Sequence, residues 1–186
     1  MGDWGNRHSR KRNSRGASGG AHYLSSVHGT EVDRLNCPFY YKMGACRHGT
    51  LCSRRHNYPV VSPTVLLPHL WKGGTSDQLE EFYRDVYNTC AKEFGKIRSV
   101  DVLDNTVEHL RGNVYVSFES EDSAIQCQQA MHGRFFDGRV VTAEFSTVCD
   151  INSFDCDGRC RQYDRGMCKR EGCNYLHVRK ICRPAY

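Results

Sequence analysis

The apolar positions between residues 63 and 147 follow first a strand period and then a helix period. Residues 65–71 form a short apolar run, which is typical of a buried strand. Thr75 and Gln78 have the spacing of a capping box, and Gly95 marks the end of a helix. Between these limits the apolar residues recur at helical spacing: Leu79, Phe82, Tyr83, Val86, Tyr87, Cys90 and Phe94. The pattern therefore predicts a strand followed by an amphipathic helix.

The rest of this region adds two strands, a second helix and a last strand. The predicted elements are strands over 97–103 and 112–118, a helix over 121–131 and a strand over 139–145. Two helices packed on one face of a four-stranded sheet make the split βαβ plan. The sequence thus predicts an α+β fold, a ferredoxin-like βαββαβ domain of the RNA-recognition-motif (RRM) type, over residues 63–147.

Two Cys/His clusters flank this domain and repeat one another. The first is spaced C-x8-C-x5-C-x3-H and consists of Cys37, Cys46, Cys52 and His56. The second is spaced C-x7-C-x4-C-x3-H and consists of Cys160, Cys168, Cys173 and His177. Three thiolates and one imidazole form a tetrahedral donor set that suits Zn²⁺. The pattern predicts two structural zinc ions, one in a module over 21–62 and one in a module over 148–186, each supplying much of its module's folding free energy.

The second cluster has an alternative first ligand. Cys156 precedes Cys160 and would give a C-x11-C spacing; Cys160 matches the first cluster better and is followed by an aromatic residue, Tyr163. A closed four-ligand site leaves no position for a catalytic water, and no pairing of a nucleophile with a base is visible. These features favour a binding protein over an enzyme, and no small-molecule substrate is expected.

Charge separates the modules from the middle of the chain. Residues 34–62 carry five Lys/Arg and no acid, and residues 151–186 carry eight against four. Residues 63–150 carry eight Lys/Arg against fourteen Asp/Glu. Residues 1–20 are rich in Gly, Ser, Asn and Arg and are predicted to be a disordered basic tail. Basic flanks favour a phosphate-bearing partner, while the absence of a long apolar run argues against a membrane.

Small zinc modules hold single-stranded RNA by stacking bases on exposed rings and by lining the strand with Lys and Arg. The RNA-binding candidates are Phe39, Tyr40, Lys42, Arg47, Arg54 and Arg55 in the first module, and Arg161, Tyr163, Arg165, Lys169, Arg170 and Tyr175 in the second. Some of these rings must pack the modules instead, and the sequence does not separate the two groups.

The middle domain lacks the aromatic platform of an RNA-binding RRM. Such a domain carries K/R-G-F/Y-G/A-F-V-x-F/Y on a central strand, and here the corresponding stretch covers residues 111–118. Asn113 stands where the first stacking ring is expected, Leu66 stands in the first strand, and only Tyr115 remains. Together with its excess of acids, this predicts that the middle domain binds protein rather than RNA.

The order of zinc module, RRM-like domain and zinc module resembles the small subunit of the U2 auxiliary splicing factor. The resemblance is carried by residues 36–57, 110–118 and 160–177. It implies a nuclear pre-mRNA splicing factor whose zinc modules bind single-stranded pre-mRNA and read the AG dinucleotide at the 3′ splice site. It also implies that the middle domain is a U2AF-homology motif, which binds a peptide of the large subunit.

The resemblance further implies which residues hold the large subunit. The family's Arg-x-Phe loop corresponds to Arg134, Phe135 and Phe136, and its acidic first helix is represented by Glu80, Glu81 and Asp85. In the family these elements hold a tryptophan and basic residues of the partner. Phe135 stands where the family usually has tryptophan.

Two other functions stay open at the level of sequence. One is a regulatory CCCH zinc-finger protein that binds mRNA outside splicing, although the insertion over residues 57–159 separates the modules more widely than is usual for tandem readers. The other is a scaffold whose zinc modules make only protein contacts, which predicts no salt-sensitive RNA binding.

Overall fold

The computed structural model describes residues 35–153, 156–179 and 181. The predicted basic tail over residues 1–20, and residues 21–34 of the predicted first module, lie outside the described residues. The helices are α1 (Pro38–Met43), a 3-10 helix (Gly49–Leu51), α2 (Ser76–Phe94), α3 (Glu121–Met131) and α4 (Arg161–Asp164). The strands are β1 (Thr64–Leu67), β2 (Ile97–Val102), β3 (Val114–Phe118), β4 (Phe135–Phe136), β5 (Arg139–Val140) and β6 (Glu144–Phe145).

The central sheet has the strand order β2-β3-β1-β6, and every neighbouring pair is antiparallel. Helices α2 and α3 cover one face of it. Val65 and Leu67 of β1 point toward these helices together with Val116 and Phe118 of β3, and all four side chains are fully buried. The predicted RRM-type α+β fold is therefore confirmed.

Local signals fix both long helices. The hydroxyl of Thr75 accepts the N–H of Gln78 at 3.3 Å, and the side-chain oxygen of Gln78 accepts the N–H of Thr75 at 2.9 Å, as the capping box predicts. Helix α2 ends before Gly95, whose φ of +117° suits only glycine. Helix α3 has the predicted bounds and is capped by the Ser120 hydroxyl. Both segments therefore favour helix through contacts with their own neighbours along the chain.

Two strand predictions are wrong in their extent by more than two residues. Strand β1 ends at Leu67 rather than at residue 71, because Pro68 has no N–H for a ladder and His69 has a φ of +54°. The strand predicted over 139–145 is divided: β5 pairs with β4, and only β6 joins β1. The cause is a turn at Asp137 and Gly138, both with positive φ, which folds β4 and β5 into a hairpin of their own.

The second face of the sheet is closed by residues from both Cys/His modules. Together with residues of the RRM-like domain they form a second buried cluster, which consists of Met43, Leu66, Leu103, Leu110, Tyr115, Val148, Ile151, Leu176 and Val178. Met43 belongs to α1 of the first module, and Leu176 and Val178 belong to the second. The sheet is therefore the middle layer of three, between its two helices and the two modules.

We expect Gly112→Ala to destabilise the domain well beyond the usual cost of a non-glycine residue at positive φ. Gly112 has a φ of +70°, and a Cβ there would overlap the carbonyl oxygen of Trp71, whose N–H donates to the Gly112 carbonyl at 2.9 Å. Gly138→Ala is the matched control, since its φ is +77° but nothing lies near its Cβ. The control should lose about 1–2 kcal/mol of unfolding free energy, and equal losses in urea denaturation would contradict the steric argument.

Candidate metal centres and nucleic-acid interface

Each Cys/His cluster is built on the same local scaffold. Cys37 precedes α1, and its sulfur accepts the N–H of Tyr40 at 3.5 Å. Its own N–H donates to the carbonyl of Arg55 at 2.9 Å, which places His56 beside it. In the second module Cys160 repeats both contacts: its sulfur accepts from the N–H of Tyr163 at 3.4 Å, and its N–H donates to the Leu176 carbonyl at 2.9 Å. The repeat predicted from spacing is thus also a repeat in structure.

The structure brings together the four predicted ligands of each module. Within each set, one donor atom from every residue lies within 4.8 Å of the others. Sulfur atoms are 3.8 Å apart between Cys46 and Cys52, and between Cys160 and Cys173. Tetrahedral Zn–S bonds of about 2.3 Å imply an S···S separation of about 3.8 Å. Both clusters can therefore hold a metal ion, and Cys160, not Cys156, completes the second.

The imidazoles provide an independent test of this fit. The Nε2 atoms of His56 and His177 are buried, and neither has a hydrogen-bond partner among the described residues. Burial lowers the pKa of both rings, so that they are neutral and have a free electron pair. Burial also raises the pKa of Cys46 and of Cys173 to about 11. A divalent cation would replace these thiol protons and would satisfy the unpaired nitrogens.

Two predicted RNA-stacking rings are used inside the modules. Tyr40 stacks on His56 with ring centroids 4.4 Å apart, and Tyr163 stacks on His177 at 4.2 Å. Tyr40 is only 6% exposed, so it has a packing role in place of the predicted stacking role. Tyr163 is half-buried, with one face against the ligand ring. Both tyrosines are the third residue after the first Cys of their module, a shared spacing that indicates a shared structural role.

The remaining rings and most of the basic residues face outward. Phe39 is 46% exposed and Tyr175 is 41% exposed. The exposed basic candidates are Arg47, Arg54, Arg55, Arg161, Arg165, Lys169 and Arg170. Lys42 differs, because it is half-buried and its Nζ lies 3.4 Å from a carboxylate oxygen of Asp157. That ion pair joins the first module to the second.

The modules also touch through the backbone. Gly158 of the second module is buried, and a Cβ there would overlap the carbonyl oxygen of Lys42 and approach Met43 Cγ to 3.0 Å. The two modules, which are far apart in sequence, are therefore neighbours on one side of the sheet.

At Leu66, Asn113 and Tyr115, the sheet positions where an RNA-binding RRM carries stacking rings, no exposed aromatic side chain is present. Tyr115, the one aromatic left by sequence there, is fully buried, and its hydroxyl donates to the carbonyl of Met43. Asn113 is 1% exposed; its side chain accepts the N–H of His69 at 3.0 Å and donates to the carbonyl of His109 at 3.1 Å. The platform positions thus anchor the first module and two loops, a use that sequence reasoning missed because it depends on distant contacts.

The predicted partner-binding residues lie on α2 and on the β4–β5 hairpin. Glu80, Glu81 and Asp85 are exposed on α2. The hairpin region meets the same helix in two places: Phe136 packs against Phe82 with centroids 6.2 Å apart, and Arg134 Nη1 lies 2.9 Å from Glu93 Oε2. Phe136 is half-buried, while Phe135 is 70% exposed.

Val140 lies beside these predicted partner-binding residues, but sequence reasoning did not include it among them. It lies opposite Phe135 in the β4–β5 pairing and is 65% exposed. The Asp-Gly turn at 137–138 was the signal that could have paired these two positions.

Comparison with known proteins shows which proteins this chain is similar to. Residues 83–142 match the RNA recognition motif family model. The chain is 43% identical over 182 residues to a splicing factor U2af small subunit of Arabidopsis thaliana, covering 88% of this chain and 62% of that protein. It is 38% identical over 182 residues to the splicing factor U2AF 26 kDa subunit of Rattus norvegicus, covering 88% of this chain and 81% of that protein.

The chain belongs to the U2AF small subunit family. The named members are splicing factor subunits rather than enzymes. This family member spans about three-fifths of the length of its plant relatives, with shares of 62%, 60% and 58%. Among solved structures, the RRM of Rna15 with bound RNA (GU) aligns at 17% identity with a TM-score of 0.34, over 49% of this chain and 89% of that one. In the described part of this U2AF small-subunit relative, no helix is long and apolar enough to cross a membrane.

We expect Cys46→Ser and Cys168→Ser each to remove one of two bound metal equivalents, because each deletes a thiolate from a different cluster of this family member. Metal content measured by mass spectrometry on protein purified in zinc is the readout. Cys149→Ser is the control, since that thiol is exposed and lies outside both clusters. Two equivalents retained in either ligand variant would show that the cluster is not a metal site.

Proposed function

We propose that this U2AF small-subunit relative is a nuclear subunit of a pre-mRNA splicing factor. Its two zinc-loaded modules bind single-stranded pre-mRNA and read the AG dinucleotide at the 3′ splice site. Its middle domain binds a peptide of the large auxiliary-factor subunit. The observation that carries the proposal is the docking of both Cys₃His modules on the sheet, which occupies the RRM's platform and leaves the modules' own basic surface exposed.

Zinc is the metal that the donor sets favour. Soft thiolates with one imidazole in a closed tetrahedral set select Zn²⁺ over Mg²⁺ or Ca²⁺, which prefer oxygen ligands. When bound, the ion supplies structure: it holds the four ligand-bearing segments of each module together. All four positions are filled by protein atoms, so no chemistry on a substrate is assigned to it.

RNA contact falls to the outer surfaces of the modules. Phe39 and Tyr175 supply exposed rings for stacking, one in each module, and exposed arginines accompany them. Base stacking contributes about 1–3 kcal/mol per base, and cationic side chains attract the phosphates. Because Lys42 is paired with Asp157 across the contact between modules, we assign it to holding the modules in register.

The large subunit is assigned to the opposite part of the domain. Helix α2 presents three carboxylates, and an acidic surface attracts a basic peptide. Phe135 and Val140 form an exposed apolar pair on the hairpin, suited to an indole or another apolar anchor. Phe136 supports the hairpin from behind by packing on Phe82. The acidic helix and the basic modules thus serve different partners.

A regulatory mRNA-binding protein acting outside splicing is the second candidate. The contact between Gly158 and Lys42 favours it, because it makes the modules neighbours despite the long insertion between them. A tandem reader of single-stranded elements needs such adjacency. Base preference and the need for the large subunit separate the two functions.

We expect the zinc-loaded protein, bound to a large-subunit peptide, to prefer a pyrimidine-AG strand over its AC variant. One mismatched base contact costs about 1–3 kcal/mol, or roughly 5- to 150-fold in Kd. Fluorescence anisotropy at fixed salt measures both affinities. Cys46→Ser and Cys168→Ser should abolish the preference, and Cys149→Ser should keep it. Equal binding of both strands by the intact protein would favour the second candidate.

We expect Phe135→Ala to weaken binding of the large-subunit peptide by about 10- to 150-fold. Metal content and RNA binding by the modules should stay unchanged, since the ring is exposed and lies on the hairpin. A buried apolar side chain contributes about 1.5–3 kcal/mol. Calorimetric titration of the peptide gives the affinity. Leu51→Ala, which removes a 91% exposed side chain from the first module, is the control. Arg134→Ala combined with Phe136→Ala should release the peptide fully; retention there would contradict the assigned surface.

A further inference from the structure

The loop between β2 and β3 holds the backbone of the second module. Asn105 in this loop is 3% exposed although it is polar. Its Nδ2 donates to the carbonyls of Tyr175 at 2.8 Å and of Cys173 at 3.2 Å, and its Oδ1 accepts the N–H of His177 at 2.9 Å. One amide from the RRM thus bonds to the backbone of two predicted metal ligands and of a residue between them.

The neighbouring residue fixes the imidazole itself. The N–H of Asp104 donates to the carbonyl of His177 at 2.8 Å. The carboxylate of Asp104 accepts the hydroxyl proton of Tyr163 at 2.9 Å, and the Tyr163 ring stacks on the His177 ring. The RRM therefore holds His177 by both backbone polar groups and, through Tyr163, by one face of its ring.

The first module is attached differently. The hydroxyl of Tyr115 donates to the carbonyl of Met43, and the hydroxyl of Thr147 donates to the carbonyl of Tyr40 at 2.9 Å. Both acceptors belong to α1 and neither is a metal ligand. The RRM thus anchors a helix of the first module, whereas it contacts the ligand-bearing backbone of the second.

We propose that Asn105 is a positioning residue for the second metal site, and that this module holds its metal as a composite with the RRM. The proposal rests on the zinc assignment made above. Residues outside the ligand set that orient the ligands typically change metal affinity about 10- to 100-fold when they are altered. Asn105 fits this role because its amide directly matches two acceptors and one donor of the segment from Cys173 to His177.

The change Asn105→Asp isolates this role. Aspartate has nearly the same shape, but a carboxylate cannot donate, so it would face the Cys173 and Tyr175 carbonyls with negative charge. Asn113→Asp is the matched control. Asn113 is an equally buried amide of the same domain with one donated and one accepted bond, and both go to residues of the RRM, His69 and His109.

The experiment is zinc release from the full chain to a chromogenic chelator, together with thermal unfolding of each variant. We expect the unaltered protein to release two equivalents. In Asn105→Asp one equivalent should be held at least about tenfold more weakly while the other is unchanged. Asn113→Asp should lower the unfolding temperature without weakening one equivalent selectively. A loss of packing alone would move the unfolding temperature and not this selectivity.

The ligand variants identify which site responds. With Cys46→Ser only the second site remains, and there Asn105→Asp should show its full effect; with Cys168→Ser it should show none. Two equivalents released as in the unaltered protein, or both weakened equally, would overturn the role of Asn105 and leave the zinc assignment standing. Failure of the unaltered protein to hold zinc would overturn the zinc assignment itself, and the role of Asn105 with it.

Discussion

Docking of the two Cys₃His modules on one face of a β-sheet is the constraint on which the rest of this structure depends. The contact between the Tyr115 hydroxyl and the Met43 carbonyl lies within the cluster that joins both modules to the sheet. Tyr115 is fully buried there, and burial raises its pKa, so the hydroxyl stays protonated and donates a hydrogen bond to the carbonyl. An RRM that uses this face for anchoring has given up the face with which other RRMs stack bases.

Docking also explains how such small modules can be ordered. Their helices span only six and four residues, far below the length at which an isolated helix is stable in water. Each module instead packs against the sheet and carries four side chains that can hold a metal ion. Tyr40 and Tyr163 belong to the short helices, and they stack on His56 and His177, which are predicted metal ligands. In each module a Tyr–His stack therefore joins the short helix to a predicted metal ligand.

The same arrangement separates two surfaces of different charge. Basic side chains and the exposed rings of Phe39, Tyr58 and Tyr175 lie on the modules. The carboxylates of α2 and the apolar pair of the β4–β5 hairpin lie on the helical side of the sheet. Opposite charges on one small domain would interfere if they shared a surface. The three-layer order keeps the basic and the acidic surfaces on opposite sides of the sheet, as the proposed binding of both RNA and a basic peptide requires.

The sequence by itself determined those features that depend on residues close to one another along the chain. The capping box of Thr75 and Gln78, the bounds of α3, the fold class and the spacing of the eight Cys/His positions all depend on local periodicity or on donor chemistry. The hairpin turn at Asp137 and Gly138 was equally local, but the prediction of residues 139–145 as one strand did not use it.

Only the tertiary structure decided the rest. Spacing alone left Cys156 and Cys160 as alternatives, and composition left Tyr40 and Phe39 equally suited to RNA; burial and stacking distinguish them. No local pattern could predict the roles of Tyr115 and Asn105. The hydrogen-bond partner of Tyr115 lies 72 residues away along the chain, and those of Asn105 lie 68 to 72 residues away. A hydrogen bond to a distant backbone carbonyl leaves no periodic mark on the sequence, since the acceptor is a group that every residue carries.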